Sequence, residues 1–261
     1  MNPIDYFTKS IQLIYNILEL RIKESHTFLK KVFIHHFLSF GTPTKKILKN
    51  YFVKVEIDNI RSIEKIKRLN LINSVVGIKP VVLVGTTGQN QINNLAIFSS
   101  LVHMGSNPPL LALNFRPINN TKRHTYQNII QNKFFSINHI NEDMIDNAHL
   151  TSLKFPKEIS EFENCNIEME NLSGVPFAKQ SPLKMLMKFK EEIIVKSNNC
   201  RIIISEIKKI IINDTYLEDN FEINYNKCKS VSVGSLNTYY STQKIKSVPY
   251  MNYEQFIKNE K

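Results

Sequence analysis

The sequence predicts a mainly β protein, a β-barrel with inserted helices, preceded by an N-terminal helical extension. Three observations carry this. Apolar residues at Pro80–Thr86 and Ile92–Phe98 form two runs joined through Thr87-Gly88, the pattern of a hairpin of half-buried strands. From Met185 onward the chain reads as long strands, Met185–Val195 and Arg201–Ile212, with Lys196-Ser197-Asn198-Asn199 as the turn between them. Connections are mostly short and helical stretches few, which fits an antiparallel barrel better than a doubly wound fold.

In chain order, residues 1–49 stand apart. Ile11, Ile14, Tyr15, Leu18 and Ile22 fall at helical spacing, as do Phe28, Leu29, Val32 and Phe33, and Gly41-Thr42-Pro43 breaks the pattern. The segment suits a pair of ancillary amphipathic helices, or a helix for a membrane surface or a partner. Tyr51–Leu71 reads as a strand-like start and a short helix with Ile60, Ile63 and Ile66 on one face, and Asn73–Ile78 as a turn. After the first hairpin, Ser99, Ser100, His103 and Ser106-Asn107-Pro108-Pro109 read as a polar loop. Leu110–Arg116 is a further strand, leading to a polar, basic loop, Asn119–Thr125, that opens a helix from about Arg123 to Gln131. Lys133–Ile140 alternates as a strand, Asn141–Lys157 begins helical and turns irregular, and Ser160–Glu163 opens a short helix. Asp214–Asn220 is an acidic loop, and Val231–Tyr240 a smaller strand or turn. Residues 50–261 are thus expected to form one domain.

Composition limits the classes of function. A chain of 261 residues can bury one substantial core and carry an extension. No run of eighteen apolar residues predicts a membrane span, and the start MNPIDYFTKS lacks the layout of a signal peptide, so a cytoplasmic location is expected. Cys165, Cys200 and Cys228 show no CxxC spacing and read as structural thiols. The net charge of +11 raises a nucleic-acid or membrane-surface reading. Against it, the lysines are spread along the chain and no basic run is interleaved with aromatics. Only six of the 34 basic residues are arginine, and two of those, Arg116 and Arg123, sit beside the polar loops. There a planar, bidentate donor suits a phosphorylated ligand.

Several segments together resemble the flavin reductase-like family, FMN-binding proteins built on a split β-barrel. They are RLNLINSVVGIKPVVLVGT (68–86), NLAIFSS (94–100), HMGSNPP (103–109), Arg116-Pro117, RHTYQNI (123–129), INHI (137–140), AHLTS (148–152), SEF (160–162) and LNTYY (236–240). The resemblance spans about Tyr51 to Tyr250 and leaves residues 1–49 outside. It implies a homodimer with FMN at the interface and the phosphate held by loops after the first strands. Asn94, Leu95 and Ala96 would then run beside the isoalloxazine, their backbone groups bonding its polar edge. Ser99 and Ser100 would offer hydroxyls to the phosphate or ribityl chain, and Arg116, Arg123, His124 and Thr125 would complete the phosphate site. His103 and Asn237 are candidates for polar groups near the ring or the nicotinamide. No GxGxxG fingerprint is present, and the resemblance calls for none.

Hydride transfer from NAD(P)H needs no nucleophile–base pair, because the flavin supplies the chemistry and the protein supplies position. Two readings follow from the resemblance. One is an NAD(P)H-dependent oxidoreductase that reduces flavin or a small acceptor. The other is a non-catalytic FMN-binding electron-transfer protein that works with a redox partner protein. Taken alone, Thr125 also suits an ordinary helix N-cap, and Ser99 or Ser100 a turn cap.

Overall fold

The computed structural model describes residues 55–88, 91–118 and 123–259. The expected extension over residues 1–49, and the strand-like start at 51–54, lie outside the described residues. The chain divides into two compact units, Met1–Ile60 and Arg61–Lys261. The second contains all of the architecture below.

The mainly β expectation holds. Helix α1 (Lys65–Val75) precedes β1 (Lys79–Pro80), β2 (Val82–Thr87), β3 (Asn93–Phe98), β4 (Leu101–Ser106) and β5 (Pro109–Phe115). Helix α2 (His124–Asn132) and β6 (Phe134–His139) follow, then the short helices α3 (Ile145–Leu150) and α4 (Glu161–Asn164). A small hairpin, β7 (Met169–Leu172) and β8 (Val175–Ala178), leads to the long pair β9 (Leu183–Val195) and β10 (Cys200–Ile212). Strands β11 (Val231–Gly234) and β12 (Thr238–Ser241) and helix α5 (Tyr253–Asn259) complete the unit.

The principal sheet has seven strands in the order β3-β2-β6-β9-β10-β5-β4, every pair antiparallel. Its two edge strands, β3 and β4, are consecutive in sequence and separated only by Ser99 and Ser100. Two residues span roughly 7 Å, so the opposite edges of the sheet must meet at that point and the sheet must curl. Register shifts in the β9–β10 ladder, at Ile204/Ser205 and Ile207/Lys209, lie in the longest strands, where local bending and twist help the sheet close.

Strand β2 explains the apolar run in the sequence. Val82 and Val84 point into the curl beside Leu113, Phe115, Phe135, Ile137, Met185, Met187 and Ile203. Val81 and Leu83 point outward, into a second core with Leu95, Ile140, Phe162, Ile167, Val231 and Val233. A strand buried on both faces has no polar alternation. Strand β6 is also covered on both faces, but polar groups fill its outer side. Buried Ser136 donates to Pro176 O (2.6 Å), and Asn138 donates to Leu83 O (3.1 Å) and accepts from Ala178 N–H (3.1 Å). This seam docks β8 across the sheet with its polar atoms satisfied.

Several expectations need correction. The stretch 99–109 is not a polar loop, since Leu101–Ser106 is an edge strand paired with β5. Val102, His103 and Met104 are all exposed and no residue of the strand is fully buried, so no buried face marks it in the sequence. The β7–β8 hairpin was not anticipated, although Ser173-Gly174, with φ of 57° and 78°, is a turn sequence of the kind that suits tight hairpins. Residues 55–59 form no strand, and α1 continues through Asn73–Val75, read from sequence as a turn. None of its residues is buried, so the face expected from Ile66 is open among the described residues.

Close approach at Gly85 supports a prediction. A Cβ there would lie 2.4 Å from Pro176 O and 2.5 Å from Ser136 Oγ, both fixed in the polar seam. Gly85→Ala should therefore lower stability by roughly 1–3 kcal/mol, read as a reduced urea midpoint with an unchanged m-value.

Candidate flavin site

Helix α2 closes one end of the curled sheet. Tyr126, Ile129 and Ile130 pack on the inner core, and Lys133 in the left-handed conformation (φ 65°) ends the helix. Two asparagines anchor it, Asn128 donating to Thr86 Oγ1 (3.0 Å) and Asn132 to Thr87 O. At its start, Asn94 Nδ2 donates to the Thr125 hydroxyl (3.0 Å), and both residues are buried. Asn94 and Thr125 thus fix where α2 begins. Thr125 is the second residue of the helix and is not its N-cap.

The N-cap position belongs to Arg123, which has extended backbone geometry and makes no side-chain capping bond. The first N–H groups of the helix, of His124, Thr125 and Tyr126, have no side-chain acceptor among the described residues. Arg123 folds back toward the exit of β5, its Nε donating to Pro117 O (3.4 Å). Burial lowers its pKa, the nearby Arg116 guanidinium lowers it further, and Cys200 acts in the opposite sense. Among the described residues neither arginine has a carboxylate partner. Two like charges beside the positive end of a helix are unfavourable unless an anion joins them.

The β3–β4 link lies against the same β5 exit. Ser100 Oγ donates to Asn114 O (2.9 Å) and accepts from Asn114 N–H (3.2 Å), so its hydroxyl seals the link to β5. Ser99 is half-buried, and its hydroxyl has no hydrogen-bond partner among the described residues. Edge-to-face contacts of Phe115 with Phe98 (4.9 Å) and with Tyr126 (5.8 Å) tie the three segments together. Tyr126 donates to Glu192 (2.9 Å), which also pairs with Arg201 (2.7 Å), bracing α2 against the β9–β10 hairpin. The structure therefore brings Arg116, Arg123, His124 and Thr125 together at the α2 start, with Asn94 bonded to Thr125, while Ser99 and Ser100 follow the other end of β3 and lie against the exit of β5.

It does not gather the rest. His103 is exposed on β4 and has no hydrogen bond or ion pair among the described residues, and Asn237 is exposed in the β11–β12 turn. Leu95 and Ala96 pair with Gly85 and Val84. The Leu95 N–H is already taken by Glu161 Oε2 (2.9 Å). Leu95 itself is wholly buried in the outer core, whereas Ala96 is half-buried. Glu161, the acid of the SEF segment, is the residue that sequence reading passed over. It was seen as a helix start, and only the fold shows that its carboxylate reaches the edge of β3. Burial raises its pKa, against the opposing effect of the Leu95 bond.

A sequence profile described as the flavin reductase like domain matches residues 78–229. An uncharacterized protein from Aquifex aeolicus (strain VF5) is 26% identical over 162 residues, which is 62% of this chain and 83% of that one. Among solved structures, a split-barrel-domain protein from Shewanella frigidimarina NCIMB 400, described as a proposed flavin reductase, is 33% identical. It superposes with a TM-score of 0.72 over 76% of this chain and all of its own. Nitrilotriacetate monooxygenase component B from Bacillus cereus superposes with a TM-score of 0.68 over 76% of this chain and all of its own, at 17% identity, a likeness of fold.

Glu161 generates a pH prediction. With its folded pKa above the ordinary 4.5, the folded state holds more protons than the unfolded state between 4.5 and that raised value. Its contribution to stability is therefore lost as pH rises through this window. Glu161→Gln keeps an acceptor for the Leu95 N–H and removes the ionisation. The variant should gain stability relative to wild type between pH 4.5 and neutrality, measured as urea midpoints. Parallel curves would contradict the assignment.

Proposed function

Because the chain belongs to the flavin reductase-like domain family, we propose that this flavin-related oxidoreductase holds FMN and uses NAD(P)H to reduce flavin or a small acceptor. One observation carries the choice of FMN: two arginines, with no carboxylate partner among the described residues, meet an uncapped helix start, and the link that carries Ser99 is bonded to the same β5 exit. That set of donors suits a phosphate dianion.

Bound FMN would supply the hydride-accepting chemistry, and the chain supplies the rest. Arg116 and Arg123 give charge and planar donors to the phosphate. The N–H groups of His124 and Thr125 point from the helix start, and Ser99 offers a hydroxyl. Ser100 and Asn94 act through the scaffold, Ser100 by sealing the link and Asn94 by fixing Thr125. Half-buried Ala96 leaves room for a flat ring beside β3, and Glu161 holds that edge in place.

We also propose that the protein works as a homodimer. Ile66, Val75, Val76 and Ile78, on and just after α1, are 58–73% exposed, an apolar surface that calls for cover. Light scattering should then give twice the 30.4 kDa chain mass.

Riboflavin, which lacks the phosphate, tests the anion site. Arg116→Ala with Arg123→Ala should weaken FMN binding on the order of a hundredfold while changing riboflavin binding little. Equal losses for the two flavins would show that the arginines do not read the phosphate. Oxidation of NADH or NADPH in the presence of free FMN, above the rate without protein, separates the reductase from an electron-transfer protein.

A further inference from the structure

A groove lies on the other face of β3 from the α2 start. Asn93 lines it, whereas the next residue, Asn94, turns to Thr125, as alternation along a strand requires. The groove has a volume of about 740 Å³, within the range of small-molecule sites. Its apolar side is formed by Ile92, Phe162 and Ile167, and its charged groups are Glu158, Glu163 and Glu168. Among the described residues, no lysine, arginine or histidine lines it. Glu168 pairs with Lys179, and Glu158 reaches Lys157 only at 3.8 Å between exposed groups. Glu163 has no ion pair among the described residues.

A smaller cavity of about 240 Å³ shares Asn166, Ile167 and Gln180 with this groove. Asn141 lines it, and its Oδ1 is buried with no hydrogen-bond partner among the described residues. A buried acceptor without a donor is costly, so a ligand that brings N–H groups would be favoured there. Both features ask for the same chemistry: positive charge and donors at one end, an apolar body at the other.

We propose that this groove binds a small amphipathic cation, a protonated amine or amidinium carried on an apolar or aromatic body. The site is independent of the flavin reading. Its acidic lining disfavours phosphates and carboxylates. It is also set in a chain of net charge +11, whose overall field repels cations, so binding of a cation here cannot come from general surface attraction.

Benzamidinium and benzoate share a ring and carry opposite charges, which makes them the probes. Each is titrated against the full chain by calorimetry and ligand-observed NMR. Benzamidinium should bind saturably at one site, and benzoate should not. Glu158→Gln with Glu163→Gln, at two exposed positions, should weaken benzamidinium on the order of five- to tenfold and leave the melting temperature unchanged. Absence of saturable benzamidinium binding, equal binding of benzoate, or affinity indifferent to the two substitutions would each overturn the proposal. FMN affinity should be the same in this variant as in wild type, so loss of one site is distinguishable from loss of the other.

Discussion

The constraint on which the rest depends is the two-residue link Ser99-Ser100 between the two edges of a seven-stranded sheet. Backbone reach alone forces those edges together there. Ser100 locks the junction by bonding both backbone groups of Asn114, and Phe98 packs on Phe115 behind it. The exit of β5, with Arg116, is thereby held against the place where α2 begins. Without that junction the arginines would belong to separate, unconnected loops.

The second requirement is that α2 start at a fixed point. Its start is set from beneath by Asn94 and Thr125, and its body by Asn128 and Asn132 on the end of β2. Each of these side chains spends its polar atoms on the scaffold, so the backbone N–H groups at the helix start are left to whatever lies outside. Arg123 adds charge there at some cost, because it is partly buried beside a second guanidinium. The arrangement makes physical sense when an anion completes it.

Much of this was legible in the sequence. The β2–β3 hairpin, the β9–β10 pair with its Lys196–Asn199 turn, and the helix after Arg123 follow from periodicity and turn chemistry. The clustering of Ser99, Arg116 and Arg123 was suggested by order along the chain and required the fold to become a place. What sequence could not show was which polar groups the fold would use. Thr125 looked like an N-cap and proved to be the partner of Asn94, a contact across 31 residues. Glu161 looked like a helix start and proved to hold the Leu95 N–H, across 66 residues. Strand β4 was missed because none of its residues is fully buried, so no buried face marks it, and the helix expected before Leu71 ran on to Val75 because its last turn buries nothing among the described residues that would mark where it ends.

As proposed, the cradle formed by Arg116, Arg123 and the α2 start holds a flavin that nicotinamide can reduce. The most direct measurement is the visible spectrum of the purified protein with FMN, followed during addition of NADH or NADPH without oxygen. A bound-flavin spectrum should appear and bleach on adding one of the nicotinamides. A bound flavin that ignores both and bleaches only with dithionite would contradict the reductase, and a protein that takes up no FMN would contradict the site itself.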